Sequence, residues 1–128
     1  MTTTVLAVDD SPSMREMVAF LLRSAGYEVV EAGDGDQALA VAASRHIDVV
    51  LTDQNMPKVD GLSLVRDLRA MPAYRDTPIV ILTTEASPEM KQKGRDAGAS
   101  AWMVKPFDPD RLVTLLKTLQ VMKPAQGV

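Results

Sequence analysis

The chain has 128 residues, a formal net charge of -3 and a pI near 5.1; 46% of it is hydrophobic, 24% is charged, and it contains no cysteine. That length suits a single domain with its own core; the missing cysteines remove disulfides, thiolate metal sites and thiol nucleophiles together, and mild acidity without a Lys/Arg stripe offers nothing for direct nucleic-acid binding. The start Met1-Thr2-Thr3-Thr4 has no basic leader and no apolar run approaches a membrane span, so the expected compartment is the cytoplasm, with no membrane contact.

In chain order, Thr4-Val5-Leu6-Ala7-Val8 is apolar at nearly every position and ends on Asp9-Asp10. A run without alternation has both faces covered, which predicts a strand of a parallel sheet. Ser11-Pro12 offers an N-cap followed by proline, and Ser13 with Glu16 offers a capping box one step later. Met14, Val18, Leu21, Leu22 and Ala25 recur at helical spacing, predicting a helix over residues 13–25 that Gly26 closes. Tyr27 to Ala32 alternates enough for a strand nearer the sheet edge. Gly33-Asp34-Gly35-Asp36 is a turn in which Asp34 or Asp36 caps a second helix carrying Ala38, Leu39 and Ala42 inward. His46, the sole histidine, reads as a solvated loop residue.

The next run, Val49-Val50-Leu51-Thr52, delivers Asp53 to its tip and is stopped by Asn55-Met56-Pro57. In parallel sheets the ligand site lies just beyond the carboxyl ends of the strands, so Asp53 is the first candidate for function. Asp60 caps a third helix with Leu62, Leu64, Val65 and Leu68 on its apolar side, and residues 72–78 form a connecting loop. Pro78 to Thr84 is a fourth buried strand ending on hydroxyls. Ser87-Pro88 starts a fourth helix, closed by Gly98 and poor in large apolar side chains apart from Met90, hence the least firmly anchored. Ala101-Trp102-Met103-Val104 is the fifth strand and ends on Lys105-Pro106. Asp108-Pro109 opens a last helix with Leu112, Leu115, Leu116 and Leu119 inward, and Lys123 to Val128 is a tail.

Five strands alternating with five helices predict an α/β domain with a parallel sheet covered on both faces. The doubly wound order 2-1-3-4-5, taken from known flavodoxin-like proteins rather than from the pattern itself, puts strands one and three together at the switch point. Asp9, Asp10, Asp53, Thr83 and Lys105 then share one edge. Each acid alone has an ordinary explanation in turn chemistry or in the positive end of the following helix. Three clustered carboxylates repel one another and call for a cation. Magnesium fits as a hard, oxygen-preferring ion, and zinc does not without cysteine or a second histidine. A carboxylate can attack phosphorus to form an aspartyl phosphate, with the cation and Lys105 neutralising phosphoryl oxygens and the Thr83 hydroxyl donating to one of them.

Residues 4 to about 121 resemble a receiver domain of the two-component response regulators. The motifs are Asp9-Asp10, Asp53-Gln54-Asn55-Met56-Pro57, Asp60-Gly61, Thr83-Thr84-Glu85, Gly98-Ala99 and Lys105-Pro106-Phe107. The resemblance implies that Asp53 accepts a phosphoryl group from a histidine kinase and that Asp9, Asp10, Asp53 and the Asn55 backbone carbonyl bind Mg2+. It further implies that Thr83 and Lys105 contact the phosphoryl oxygens, and that the Lys105–Pro106 peptide is cis. Such a protein is not an enzyme beyond catalysing its own phosphorylation and dephosphorylation. With residues 1–128 read as one receiver domain and no effector domain, the chain is most similar to the stand-alone chemotaxis regulators of the CheY type. Those switch through Thr83 and the strand-five aromatic, here Trp102, and bind an output partner, such as a flagellar motor switch protein, on the face of helix four, strand five and helix five. Two positions depart from that group: Gln54 stands where Trp is usual, read as neutral, and Trp102 where Tyr is usual, a larger ring expected to rotate less completely or to stay in one position. The alternatives are a phosphorelay intermediate serving a histidine phosphotransfer domain and a haloacid-dehalogenase-type phosphatase. The latter needs a second Asp at position 55, where this chain has Asn.

Overall fold

Each strand divides its side chains between two cores. Leu6, Val8, Val50, Ile79 and Ile81 enter one core; Val5, Ala7, Val49, Leu51, Val80 and Leu82 enter the other. Such runs have no solvent face, and only helices packed on both sides of the sheet can cover them. The computed structural model describes residues 2–122 and contains β1 (Thr4–Val8), α1 (Pro12–Ser24), β2 (Glu28–Ala32), α2 (Gly35–Ser44), β3 (Val49–Thr52), α3 (Gly61–Arg69), β4 (Ile79–Thr83), α4 (Pro88–Ala97), β5 (Ala101–Val104) and α5 (Pro109–Met122). The sheet is parallel throughout, in the order β2-β1-β3-β4-β5. The first core lies under α2, α3 and α4 and the second under α1 and α5. The tail from Lys123 lies outside the described residues.

Capping chemistry fixes where the helices begin. α1 starts at Pro12 because the Ser11 hydroxyl accepts from Met14 N–H at 3.3 Å, so the later start at 13 with a Ser13–Glu16 box is not used. Of the two candidates for α2, Asp34 is the cap, accepting from Gln37 N–H at 2.8 Å. Asp60 and Ser87 cap α3 and α4 as their positions predict, each such cap contributing about 1 kcal/mol. Gly98 closes α4 at φ +107°, where a Cβ is strained. β4 stops at Thr83, one residue short of the expected strand.

The connection over 72–78 is more than a loop. It holds a short 3-10 turn, Pro72–Tyr74, whose Tyr74 is 2% exposed. The phenol donates to the Ala42 and Arg45 carbonyls at 2.7 and 2.9 Å, joining this turn to the end of α2. Nearby, the half-buried Arg69 donates to the carbonyls of Tyr74, Thr77 and Gly98 and to the Ser100 hydroxyl. Burial pulls that guanidinium below its ordinary pKa, and Asp76 pulls it back.

Tyr74→Phe is expected to cost about 1–2 kcal/mol, because both carbonyls lose their side-chain donor. Burial pushes the Tyr74 phenol above its ordinary value of 10.0. The folded protein then holds this proton at a pH where the unfolded chain releases it, so stability is lost as pH rises above 10. Urea unfolding of the variant at neutral and alkaline pH should show a lower midpoint and a shallower alkaline decline. An unchanged midpoint would mean that the phenol bonds contribute nothing net.

Candidate cation and phosphoryl site

The acids converge because the strand register aligns their tips. Val8 pairs with Thr52, and the Asp53 N–H donates to the Val8 carbonyl at 3.0 Å, which sets Asp53 beside the Asp9-Asp10 pair. One carboxylate oxygen from each of Asp9, Asp10 and Asp53 lies within 4.8 Å of the others. The three differ in support. Asp9 accepts from Ser11 N–H at 2.9 Å and from Lys105 Nζ at 3.0 Å. Asp53 accepts from Gln54 N–H at 2.7 Å and has Lys105 Nζ at 3.7 Å. Asp10 is exposed, and no hydrogen bond from the described residues holds its carboxylate.

Lys105 is carried to this edge by β5 and reached by a backbone bond from its N–H to the Thr83 carbonyl at 2.8 Å. Its side chain is only 10% exposed, and the Lys105–Pro106 peptide is cis. Thr83, fully buried at the tip of β4, accepts from Glu85 N–H at 3.3 Å, a bond that uses a hydroxyl lone pair and not its proton. Asn55 is exposed in the loop after β3. Trp102 sits three residues before Lys105 and on the flank of the sheet toward α4, apart from the acids. Its indole N–H donates to the Glu85 carbonyl at 2.8 Å, and its ring fills the space above Gly94, where a Cβ would come within 2.8 Å.

The donor set fits a hard divalent cation. One ammonium against three carboxylates leaves two negative charges uncompensated, and every ligand atom offered is oxygen. Asp9, Asp10 and Asp53 would hold the ion. His46 has no part in this edge; it pairs with Asp48 at 2.8 Å.

Sequence reasoning missed two contributors. Gln54, read as neutral, is 5% exposed, and its side-chain oxygen accepts the Leu62 N–H at 2.8 Å, tying the residue after Asp53 to the first turn of α3. A polar side chain between a buried strand and a helix start is the signal for such a bond. Arg15 lies beside the Asp9 backbone, and nothing in its helical position announced that.

A parallel sheet in this order, with its acids on the carboxyl edge, defines a flavodoxin-like domain with its site at the β1/β3 switch point. The chain belongs to the response regulator receiver domain family, whose match spans residues 5–117. It is a signalling domain and not an enzyme of the ordinary kind. Among solved structures it is similar to the chemotaxis protein CheY4 of Vibrio cholerae, at 48% identity and a TM-score of 0.90 over 93% of this chain and 99% of that one. The receiver domain of a Pseudomonas aeruginosa sensor histidine kinase, solved with magnesium coordinated in its active-site cleft, is 31% identical with a TM-score of 0.87 over 94% and 99%. Among curated relatives, the phosphate regulon regulator PhoB of Pseudomonas aeruginosa is 40% identical over 91% of this chain and 51% of its own length. A gliding motility regulatory protein of Myxococcus xanthus is 46% identical over 79% of this chain and 13% of its own. The chain thus spans about half or less of these curated relatives. No helix among the described residues is long and apolar enough to cross a membrane.

Proposed function

We propose that Asp53 accepts a phosphoryl group from a histidine kinase in a magnesium-dependent reaction, and that the phosphorylated domain changes its affinity for an output protein. The observation that carries this is the single Lys105 ammonium set against three carboxylates, one of them Asp53 at the end of the central strand. An Asp53 oxygen attacks phosphorus, a P–O bond forms, the P–N bond of the phosphohistidine breaks, and the imidazole leaves to take up a proton. Asp9, Asp10, Asp53 and the Asn55 carbonyl would hold the magnesium, which when bound would supply positive charge to the phosphoryl oxygens. Lys105 exchanges its carboxylate partners for a phosphoryl oxygen, and the Thr83 proton is donated to another. Those new bonds draw on the tip of β4 and the end of β5. Trp102 and Glu85 lie directly behind them, and the face of α4, β5 and α5 is the output surface of this reading.

The likeness to CheY4, a chemotaxis protein matched over nearly its whole length, supports a chemotaxis output; the partner of this reading is a flagellar motor switch protein. The likeness to PhoB covers about half of that protein, 51% of its length, and bears on the shared domain rather than on output.

Acetyl phosphate with magnesium should add one phosphoryl group to the wild-type chain and none to Asp53→Asn, read by intact mass. Equal incorporation in both would overturn the assignment of Asp53.

A further inference from the structure

Arg15 occupies the first turns of α1, where a cation opposes the helix dipole. Its contacts explain the placement. Nη1 donates to the Asp9 carbonyl at 2.7 Å, and Nε lies 3.4 Å from Glu31 at the end of β2. Glu31 is also within 3.5 Å of Arg23, so it holds two arginines along the α1–β2 seam. The Arg15 side chain is 21% exposed, and with Asp9 and Asp53 it lines the small cleft beneath the acids.

The Asp9 carbonyl belongs to the peptide that joins Asp9 to Asp10. Asp9 and Asp53 have donors on their carboxylates, whereas no hydrogen bond from the described residues reaches that of Asp10, whose place depends on where its backbone is held. Fixing that one peptide plane therefore fixes the backbone position from which the third carboxylate extends toward the other two. Glu31 keeps the guanidinium turned toward the seam, so the arginine clasps the Asp9 carbonyl without competing for the carboxylates that the cation needs.

We infer that Arg15 is a positioning residue for the cation site, orienting the Asp9–Asp10 peptide so that the Asp10 carboxylate joins those of Asp9 and Asp53. This rests on the reading of that cluster as a magnesium site. The test turns on a sign. Removing a positive charge near a cation site strengthens cation binding on Coulomb grounds alone; removing a positioning group weakens it.

Magnesium titration calorimetry on the whole chain decides between them. Arg15→Met keeps the aliphatic packing and is expected to bind magnesium about tenfold more weakly, the usual consequence of losing an outer partner of a ligand. Arg15→Lys, which can reach the Asp9 carbonyl through a single bond, should recover part of that loss. Arg23→Met removes the other cation on Glu31 and should leave the affinity within roughly twofold of wild type, because Arg23 does not touch Asp9. Equal or tighter binding by Arg15→Met overturns the inference. If wild type takes up no magnesium, the cation site itself is refuted, and amide exchange at Ser11 then judges the clasp. That N–H bonds the Asp9 carboxylate, and its exchange should be about tenfold faster in Arg15→Met; an unchanged rate overturns the clasp as well.

Discussion

Gly61→Ala is expected to destabilise the protein by about 3 kcal/mol and to disable the acidic edge at the same time. A Cβ at Gly61 would stand 2.4 Å from the Asp53 carbonyl oxygen and 2.9 Å from the Gln54 Cα. Both neighbours are backbone, so no change of rotamer relieves the contact. The Asp53 carbonyl is also held by the Thr52 hydroxyl at 2.9 Å, and Gln54 accepts the Gly61 N–H at 3.0 Å. One of two things must yield. If α3 retreats, the core beneath Leu62, Leu64, Val65 and Leu68 opens; if the backbone at 53–54 retreats, Asp53 leaves its register with Asp9. Urea unfolding and the acetyl phosphate reaction measured on one preparation test both. A variant of wild-type stability and reactivity would show that the approach of α3 to Asp53 is not the constraint described.

Lys105→Met should cost about 3 kcal/mol in magnesium-free buffer and regain much of it when magnesium is added. The Lys105 side chain is 10% exposed and its ammonium lies between the Asp9 and Asp53 side chains, themselves 10% and 13% exposed. Removing one member of a buried ion cluster strands the others, which is dearer than never having built it. A cation that binds only the folded state stabilises by an amount set by its concentration over its dissociation constant, about 2.7 kcal/mol at a hundredfold excess. The variant should therefore gain more from magnesium than wild type does, since the ion no longer shares Asp9 and Asp53 with a lysine. Unfolding curves with and without metal supply the comparison, and equal gains would refute it. Lys105→Arg adds a functional arm. It retains the charge but replaces a compact donor with a planar fork, so at equal phosphate occupancy the emission of Trp102, the only tryptophan, should respond much less than in wild type.

Much of the architecture was legible because burial on both faces writes a strand as an unbroken apolar run. Val49 to Thr52 and Ile79 to Thr83 could be located without knowing their neighbours. Helix starts were legible where one capping side chain stood before proline or glycine without a competitor, as at Asp60-Gly61 and Ser87-Pro88, whereas the rival box at Ser13 put the start of α1 one residue late. The meeting of Asp9, Asp10, Asp53 and Lys105 followed once all strands ran the same way, since parallel strands put their carboxyl tips on one edge. The sequence was silent where a contact joins residues with no periodic relation. Tyr74 reaching the end of α2 depends on how two crossovers meet, and Gln54 serving the first turn of α3 and Arg15 clasping the Asp9 carbonyl depend on how a strand-to-helix loop folds back on itself. The choice left open by local chemistry between Asp34 and Asp36 was settled by which of them stands outside the first turn, where Asp34 accepts the Gln37 N–H.

Gly94 and Trp102 form one packing decision written at two positions eight residues apart. The indole lies where a side chain at 94 would be and is kept there by its bond to the Glu85 carbonyl. The order in which the two positions can change is therefore constrained. A lineage carrying Trp at 102 must keep glycine at 94, and any larger residue there has to wait until 102 has shrunk. Glycine also disfavours the helix by about 1 kcal/mol relative to alanine, so the tryptophan is retained at the expense of helix stability in α4. Loss of the tryptophan would remove the reason for that glycine, and the pair would be expected to drift away together.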